Sequence, residues 1–271
     1  MKINALYKVL LALTMVFALS LSNYAQTTDA GLDVWLNGGG GTCYADAYDN
    51  GAAPMSLFGV GLGFQSGVRM EWGRCSFQRE SRYLCGLLVF PFEGYVVGMN
   101  EGVGFLYRFH DGKRDRLHLW AGGSVREEGS LKVIPSLKTC AVSSSVFGNF
   151  SVEGMVQYDF AFLHEKSYNL LTAYGKLRLP LVGIVNLPGY SYMDNYMSNI
   201  NLVNTILTTY ETRGILFPGV CTDIGLQFNL SSGNKIGFSY RWDYLTTRHR
   251  GYYRLDNAFH TFAIDFMFKL N

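Results

Sequence analysis

Charge is scarce in this 271-residue chain: Asp, Glu, Lys and Arg make up 16% of it, against roughly 25% in soluble domains. An ordinary solvated exterior cannot be built from so few charges. Long apolar runs are missing too. Beyond the N-terminal leader no stretch approaches the roughly 20 residues that a spanning helix needs, although 48% of the chain is hydrophobic. There is no phosphate-cradling glycine loop, zinc-ligand spacing or dinucleotide fingerprint, so no cofactor is implied. Five cysteines (Cys43, Cys75, Cys85, Cys140 and Cys221) are an odd number. Their spacing fits neither a metal knuckle nor a disulfide framework, although one bridge is compatible with an oxidising compartment.

The N-terminus carries an export signal. Lys2 and Lys8 make a basic start, Val9 to Leu21 is mostly apolar, and "SNYAQ" follows. This three-part layout is that of a secretory signal peptide, expected over 1–25 with cleavage after Ala25 or, alternatively, Ser22. Losing Lys2 and Lys8 lowers the basic count from 23 to 21, equal to the 21 acidic residues. A neutral mature chain offers no broad basic surface for nucleic acid.

From 26 to 271 the pattern alternates with period two, which places successive side chains on opposite faces of a sheet. In 58–72, Phe58, Val60, Leu62, Phe64, Val68, Met70 and Trp72 oppose Gly59, Gly61, Gly63, Gln65, Gly67, Arg69 and Glu71. In 150–162, Phe150, Val152, Val156, Tyr158, Phe160 and Phe162 oppose Ser151, Glu153, Gln157 and Asp159. Similar rows fill 95–110, 116–126, 171–181, 219–230, 236–244 and 261–270, with weaker strands over 31–39 and within 76–90. Short polar links (72–75, 111–115, 164–169 and 231–234) alternate with longer ones (41–56, 91–94, 127–148, 183–215 and 246–257). Such a meander has two unlike ends.

The apolar rows run 11 or more residues, whereas soluble strands have a mode of about 5–6 and membrane-spanning strands need about 9–11. Trp72, Tyr95, Trp242 and Tyr244 stand near row ends, where amphipathic rings suit a lipid–water boundary. The apolar rows are therefore expected to face lipid and the polar rows an interior. A lipid-facing sheet must close on itself, because hydrocarbon cannot hydrogen-bond an open edge. The expected fold is an all-β, closed antiparallel transmembrane up-and-down β-barrel of about ten strands, with eight or twelve as neighbouring counts. It has short periplasmic turns and longer extracellular loops. A secreted soluble β-sandwich is the opposing reading.

The leader, the alternating strands and the last strand "FAIDFMFKLN" resemble the small outer-membrane β-barrel proteins of Gram-negative bacteria. The "AQ" cut with a polar mature start resembles those of the Bacteroidota. Phe266-Met267-Phe268 resembles the family's C-terminal insertion signal, although this chain ends in Lys269-Leu270-Asn271 rather than an aromatic. The resemblance implies residence in the outer membrane, insertion by the barrel-assembly machinery, and contact with membrane lipid and lipopolysaccharide. Enzymes resembling this class, the outer-membrane phospholipases and lipid A deacylases, carry His with Ser two residues on. Here His110, His118, His164, His249 and His260 are followed at that distance by Gly, Trp, Lys, Gly and Phe. A non-enzymatic role is expected: structural, adhesive or ligand-binding through external loops, with a narrow porin as the alternative.

Two groups are candidate site residues. The inward rows bring Arg69, Arg108, Arg116, Arg126, Lys176, Arg178, Arg241 and Lys269 against Glu71, Glu153, Asp159, Asp223, Asp243 and Asp265. Charges in so narrow a barrel should pair to offset desolvation, which makes a plug. Inward glycines such as Gly61, Gly98 and Gly102 leave either a crevice or a tight curve. The link 246–257 gathers Arg248, His249, Arg250, Tyr252, Tyr253 and Arg254 for contact with anionic phosphates or an acidic glycan. Helical spacing of Ile200, Val203, Leu207 and Tyr210 predicts a short amphipathic helix in the 183–215 link.

Overall fold

The computed structural model describes residues 31–49, 53–112, 116–136, 142–160, 164–165, 168–188, 210–249 and 253–270. Ten antiparallel strands follow one another: β1 (Asp33–Asp49), β2 (Ala53–Trp72), β3 (Cys75–Phe90), β4 (Gly94–Asp111), β5 (Leu117–Val133), β6 (Val142–Asp159) and β7 (Leu171–Pro188). Next come β8, in two pieces (Tyr210–Leu216 and Gly219–Asn229), then β9 (Lys235–His249) and β10 (Tyr253–Lys269). Each strand pairs with the next, and β10 returns to β1 with Trp35 opposite Lys269. The sheet is a closed up-and-down barrel. Asp33 and Lys269, where the sheet begins and ends, lie at the end that carries the turns 73–74, 112–116 and 230–234.

The break in β8 has a local cause. Phe217 has φ +49°, and Pro218 after it has no amide hydrogen to donate. Below the break, 219–229 pairs with both β7 and β9; above it, 210–216 pairs with β7 alone among the described strands. The tight turns at Gly73 (φ +56°) and Gly233 (φ +84°) adopt left-handed backbone that glycine tolerates at no steric cost.

The faces are arranged as the alternation predicts. Phe64, Phe262 and Phe266 point outward, Phe262 being 59% exposed, whereas Ser124, Arg126, Glu153, Arg178 and Asp223 are buried inside. A soluble sandwich would bury these phenylalanines at its centre. Closure with an apolar exterior is the architecture of a transmembrane β-barrel.

The strands are longer than the sequence reading had them. β1 reaches Asp49 and β2 begins at Ala53, so most of the expected loop 41–56 is strand. The expected loop 246–257 is likewise β9 to His249 and β10 from Tyr253, with Arg248 opposite Arg254 and His249 opposite Tyr253. The physical reason is an inversion of the pattern near this end. Inward positions turn apolar (Ala45, Ala47, Leu57, Leu245, Leu255) while Asp46, Arg254 and Asp256 point outward, so the lower rule no longer finds the strand. A 17-residue strand such as β1, at ~3.3 Å per residue and ~40° tilt, climbs roughly 40 Å, well past a belt of ~25 Å. The wall therefore stands proud of the membrane. The helix expected within 183–215 falls mainly in 189–209, outside the described residues.

Phe266→Arg is expected to lower the unfolding free energy in lipid vesicles by about 2–4 kcal/mol, and Asp46→Arg, above the belt, by under about 1 kcal/mol. Guanidinium titration followed by tryptophan fluorescence measures both.

Candidate functional site

The lumen is filled in layers. At the end where the sheet begins and ends, Lys269 Nζ lies 2.7 Å from Asp33 Oδ1, and Lys235 and Lys269 sit over the Trp35 ring at 4.9 and 5.8 Å. Arg69 pairs with Glu71 on its own strand. Arg108 donates to the Gly73 carbonyl at 2.9 Å and lies 5.1 Å above the Trp120 ring. His118 bridges Asp111 (2.7 Å) and Asp159 (3.3 Å), and Thr172 donates to Asp159 at 2.8 Å. Leu106, Trp120 and Met155 form an apolar layer.

The central layer is ionic. Sheet register delivers it: Asp223 stands opposite both Arg241 and Lys176, and Glu153 opposite Arg178. Glu153 lies 2.9 Å from Lys176 Nζ and 3.1 Å from Arg178 Nε, and accepts from Ser124 Oγ at 2.6 Å. Contacts then cross the lumen. Glu80 on β3 takes Arg126 of β5 at 2.8 Å and Lys176 of β7 at 3.8 Å. Arg82 reaches Glu80 at 2.6 Å and Asp243 of β9 at 3.6 Å. Arg241 binds Asp223 and donates to Gln65 of β2 at 2.8 Å, while Asp265 accepts from Gln65 and Ser239. Above this lie two apolar clusters, Ala47, Leu57, Leu88, Val96 and Ile134 on one side and Phe147, Val185, Leu245 and Leu255 on the other. Lys132 Nζ donates to Asn257 beside them, at 2.9 Å.

Among the described residues, two hollows of about 70 and 80 Å³ lie above and below the ionic layer. Each has room for about five waters by volume. Arg82 and Arg241 line both, so their guanidinium groups form the partition. Of the inward glycines, Gly63 and Gly98 line the upper hollow, whereas Gly61 and Gly102 leave no crevice. A Cβ on Gly61 would lie 2.4 Å from the Cys85 carbonyl oxygen, and one on Gly102 would lie 2.4 Å from Arg126 Cγ. Gly61 and Gly102 thus allow the close approach of neighbouring backbone and side chains.

The structure brings together Glu153, Lys176, Arg178, Asp223, Arg241, Asp243 and Asp265 of the sequence-derived set, and separates Arg69, Glu71, Arg108 and Asp159 into the lower rim. The sequence reading missed Glu80, Arg82 and Glu128. Outward Arg79 and Ser81 blur the alternation of β3, yet Ser76, Gln78, Glu80 and Arg82 keep period two and were a readable signal. Four of the cysteines, Cys43, Cys75, Cys85 and Cys221, are free thiols.

Outside, an aromatic boundary encircles β9, β10, β1 and β2. Tyr44 packs on Phe58 and His260 at 4.4 and 5.3 Å, the Tyr240 hydroxyl lies 2.8 Å from His260 Nδ1, and Trp242 stacks on Tyr244 at 6.1 Å. Just above it, Arg254 Nη2 lies 2.5 Å from Asp256, and its guanidinium sits 5.6 Å over Tyr48. Of the expected loop contacts, Arg254 is thus a wall residue rather than a loop residue. Arg248, His249 and Tyr253 are also on strands, while Arg250 and Tyr252 lie outside the described residues.

No family model and no curated protein matches this sequence. Solved structures do. The outer membrane protease OmpT of Escherichia coli aligns over 90% of this chain and 98% of its own at 7% identity, with a TM-score of 0.49. Neisserial surface protein A aligns over 88% and 97% at 9% identity and a TM-score of 0.36. Ail, the attachment invasion locus protein of Yersinia pestis, aligns over 87% and 99% at 11% identity and a TM-score of 0.28. At these identities the likenesses carry no activity over to this chain.

Glu153→Ala is expected to cost about 3–5 kcal/mol, because Arg178 would stay buried without its carboxylate and Lys176 would keep only the longer contact to Glu80. Asp33→Ala at the exposed rim should cost under about 1 kcal/mol. Equilibrium unfolding in vesicles separates the two.

Proposed function

We propose that the chain is an integral outer-membrane barrel, sealed to solutes, that works at its outer rim in a non-enzymatic structural, adhesive or ligand-binding role. The observation that supports this is the ionic layer spanning the lumen from β3 to β7 and β9, capped by apolar clusters. A solute path would have to part Arg82 from Asp243 and Arg126 from Glu80, each contact desolvated and mutually supporting. Arg82 and Arg241 stand between the two hollows, which speaks against a continuous solute path and so against the narrow-porin alternative.

The rim is where a partner finds polar groups. Arg254 stands above the aromatic boundary, at the height where lipid phosphates meet a barrel wall, and its fork geometry suits phosphate oxygens. Lipopolysaccharide is accordingly the proposed contact, and insertion through the barrel-assembly machinery is the proposed route to the membrane. The polar mature start fits a Bacteroidota-like member of this class.

Purified protein in planar bilayers should give no unitary conductance steps; steps of fixed size would overturn the sealed-barrel reading. Arg254→Ala should weaken lipopolysaccharide binding roughly fivefold, about 1 kcal/mol of rim electrostatics, in a calorimetric titration of the detergent-solubilised barrel.

A further inference from the structure

We infer that the upper hollow is a binding site for a compact primary alkylammonium, held by Glu128 of β5 and Asp243 of β9. The inference goes beyond the rim role and does not rest on the rim contact. Both carboxylates line this hollow, and both are buried, at 7% and 9% exposure. Register gives neither of them a cation for a neighbour. Glu128 stands opposite Asn100 of β4 and Phe147 of β6, and Asp243 opposite Cys221 of β8 and Phe259 of β10. Asp223, by contrast, has a cation on either side.

Contacts across the lumen leave the same gap. Glu128 forms no ion pair with a described residue and accepts a long hydrogen bond from Asn149, at 3.3 Å. Asp243 has Arg82 Nη1 at 3.6 Å from Oδ2, beyond hydrogen-bond reach, and its Oδ1 has no hydrogen-bond partner among the described residues. Arg82 itself is held closer by Glu80, at 2.6 Å. Arg241, the other cation at the hollow, is taken by Asp223 and Gln65, and Lys132 overhead donates to Asn257. Two buried carboxylates that face one hollow without close counter-charges are costly unless a cation joins them.

The walls select the kind of cation. Phe147, Leu245 and Phe259 give the hollow an apolar side. An ammonium group brings three donors for the carboxylate oxygens, its short alkyl tail meets that apolar side, and aromatic rings favour a positive charge beside them. A hard inorganic cation takes oxygen ligands all round, which these three side chains do not supply. Room for about five waters limits the guest to about five non-hydrogen atoms. Entry from the outer mouth runs between the two apolar clusters, which share no residue. The site is thus reached without a path through the ionic layer.

The test is a calorimetric titration of butylammonium into the full mature chain in lipid nanodiscs at neutral pH, with butyrate and potassium as controls. The wild type should bind butylammonium saturably at one per chain, and should bind neither butyrate nor potassium comparably. Glu128→Gln should weaken butylammonium by at least about tenfold, and Asp243→Asn should do the same. Glu128 has no ion pair to lose, so its variant is expected to fold as the wild type does, and resistance to trypsin checks this for both variants. Absence of saturable binding to the wild type would overturn the inference. So would equal binding by a folded Glu128→Gln or Asp243→Asn variant, equal binding of butyrate, or displacement of butylammonium by equimolar potassium.

Discussion

Hydrocarbon offers a backbone amide no partner. That constraint organises the molecule, because each strand that meets lipid must have both of its edges occupied. The return of β10 to β1 is therefore a necessity, and the break at Phe217-Pro218 illustrates its reach. At belt height, residues 219–229 keep pairs on both sides. Only above the break does the strand pair on one side alone among the described strands. There water can satisfy the exposed amide and carbonyl groups.

Closure has a second consequence inside. A ten-stranded wall encloses a volume that side chains can fill, and whatever it encloses leaves water. Charges placed there must be mutually compensated. Glu80 does this for three strands at once, drawing Arg82, Arg126 and Lys176 together, while Glu153 holds Lys176 and Arg178 from the opposite wall. Such a layer specifies register as well as sealing the lumen. A one-residue slip in any strand would turn its charges into lipid.

Much of this was readable in the chain. Phe58 to Trp72 against Gly59 to Glu71 gives direction and face without coordinates, since period two admits one arrangement. The strand count, the closed topology and most inward charges follow from such rows. Two regions resisted. In β3, Arg79 and Ser81 occupy outward positions, so Glu80 and Arg82 did not stand out as inward. Near the rim, Ala45, Ala47, Leu57, Leu245 and Leu255 turn inward because the wall has left the bilayer and water lies outside it. A rule written for lipid mistakes that segment for loop, and Arg254 was placed accordingly.

What the sequence by itself determined is which face of each strand meets lipid, because alternation is a local property and burial chemistry has only two outcomes there. What the tertiary structure alone decided is which charges meet. Glu80 is 46 residues from Arg126, and Arg241 is 176 from Gln65. Pairing across a lumen depends on shear, tilt and closure, which belong to the whole barrel and to no segment of it. The sealed interior is therefore a property of ten strands acting together, and no single strand carries it.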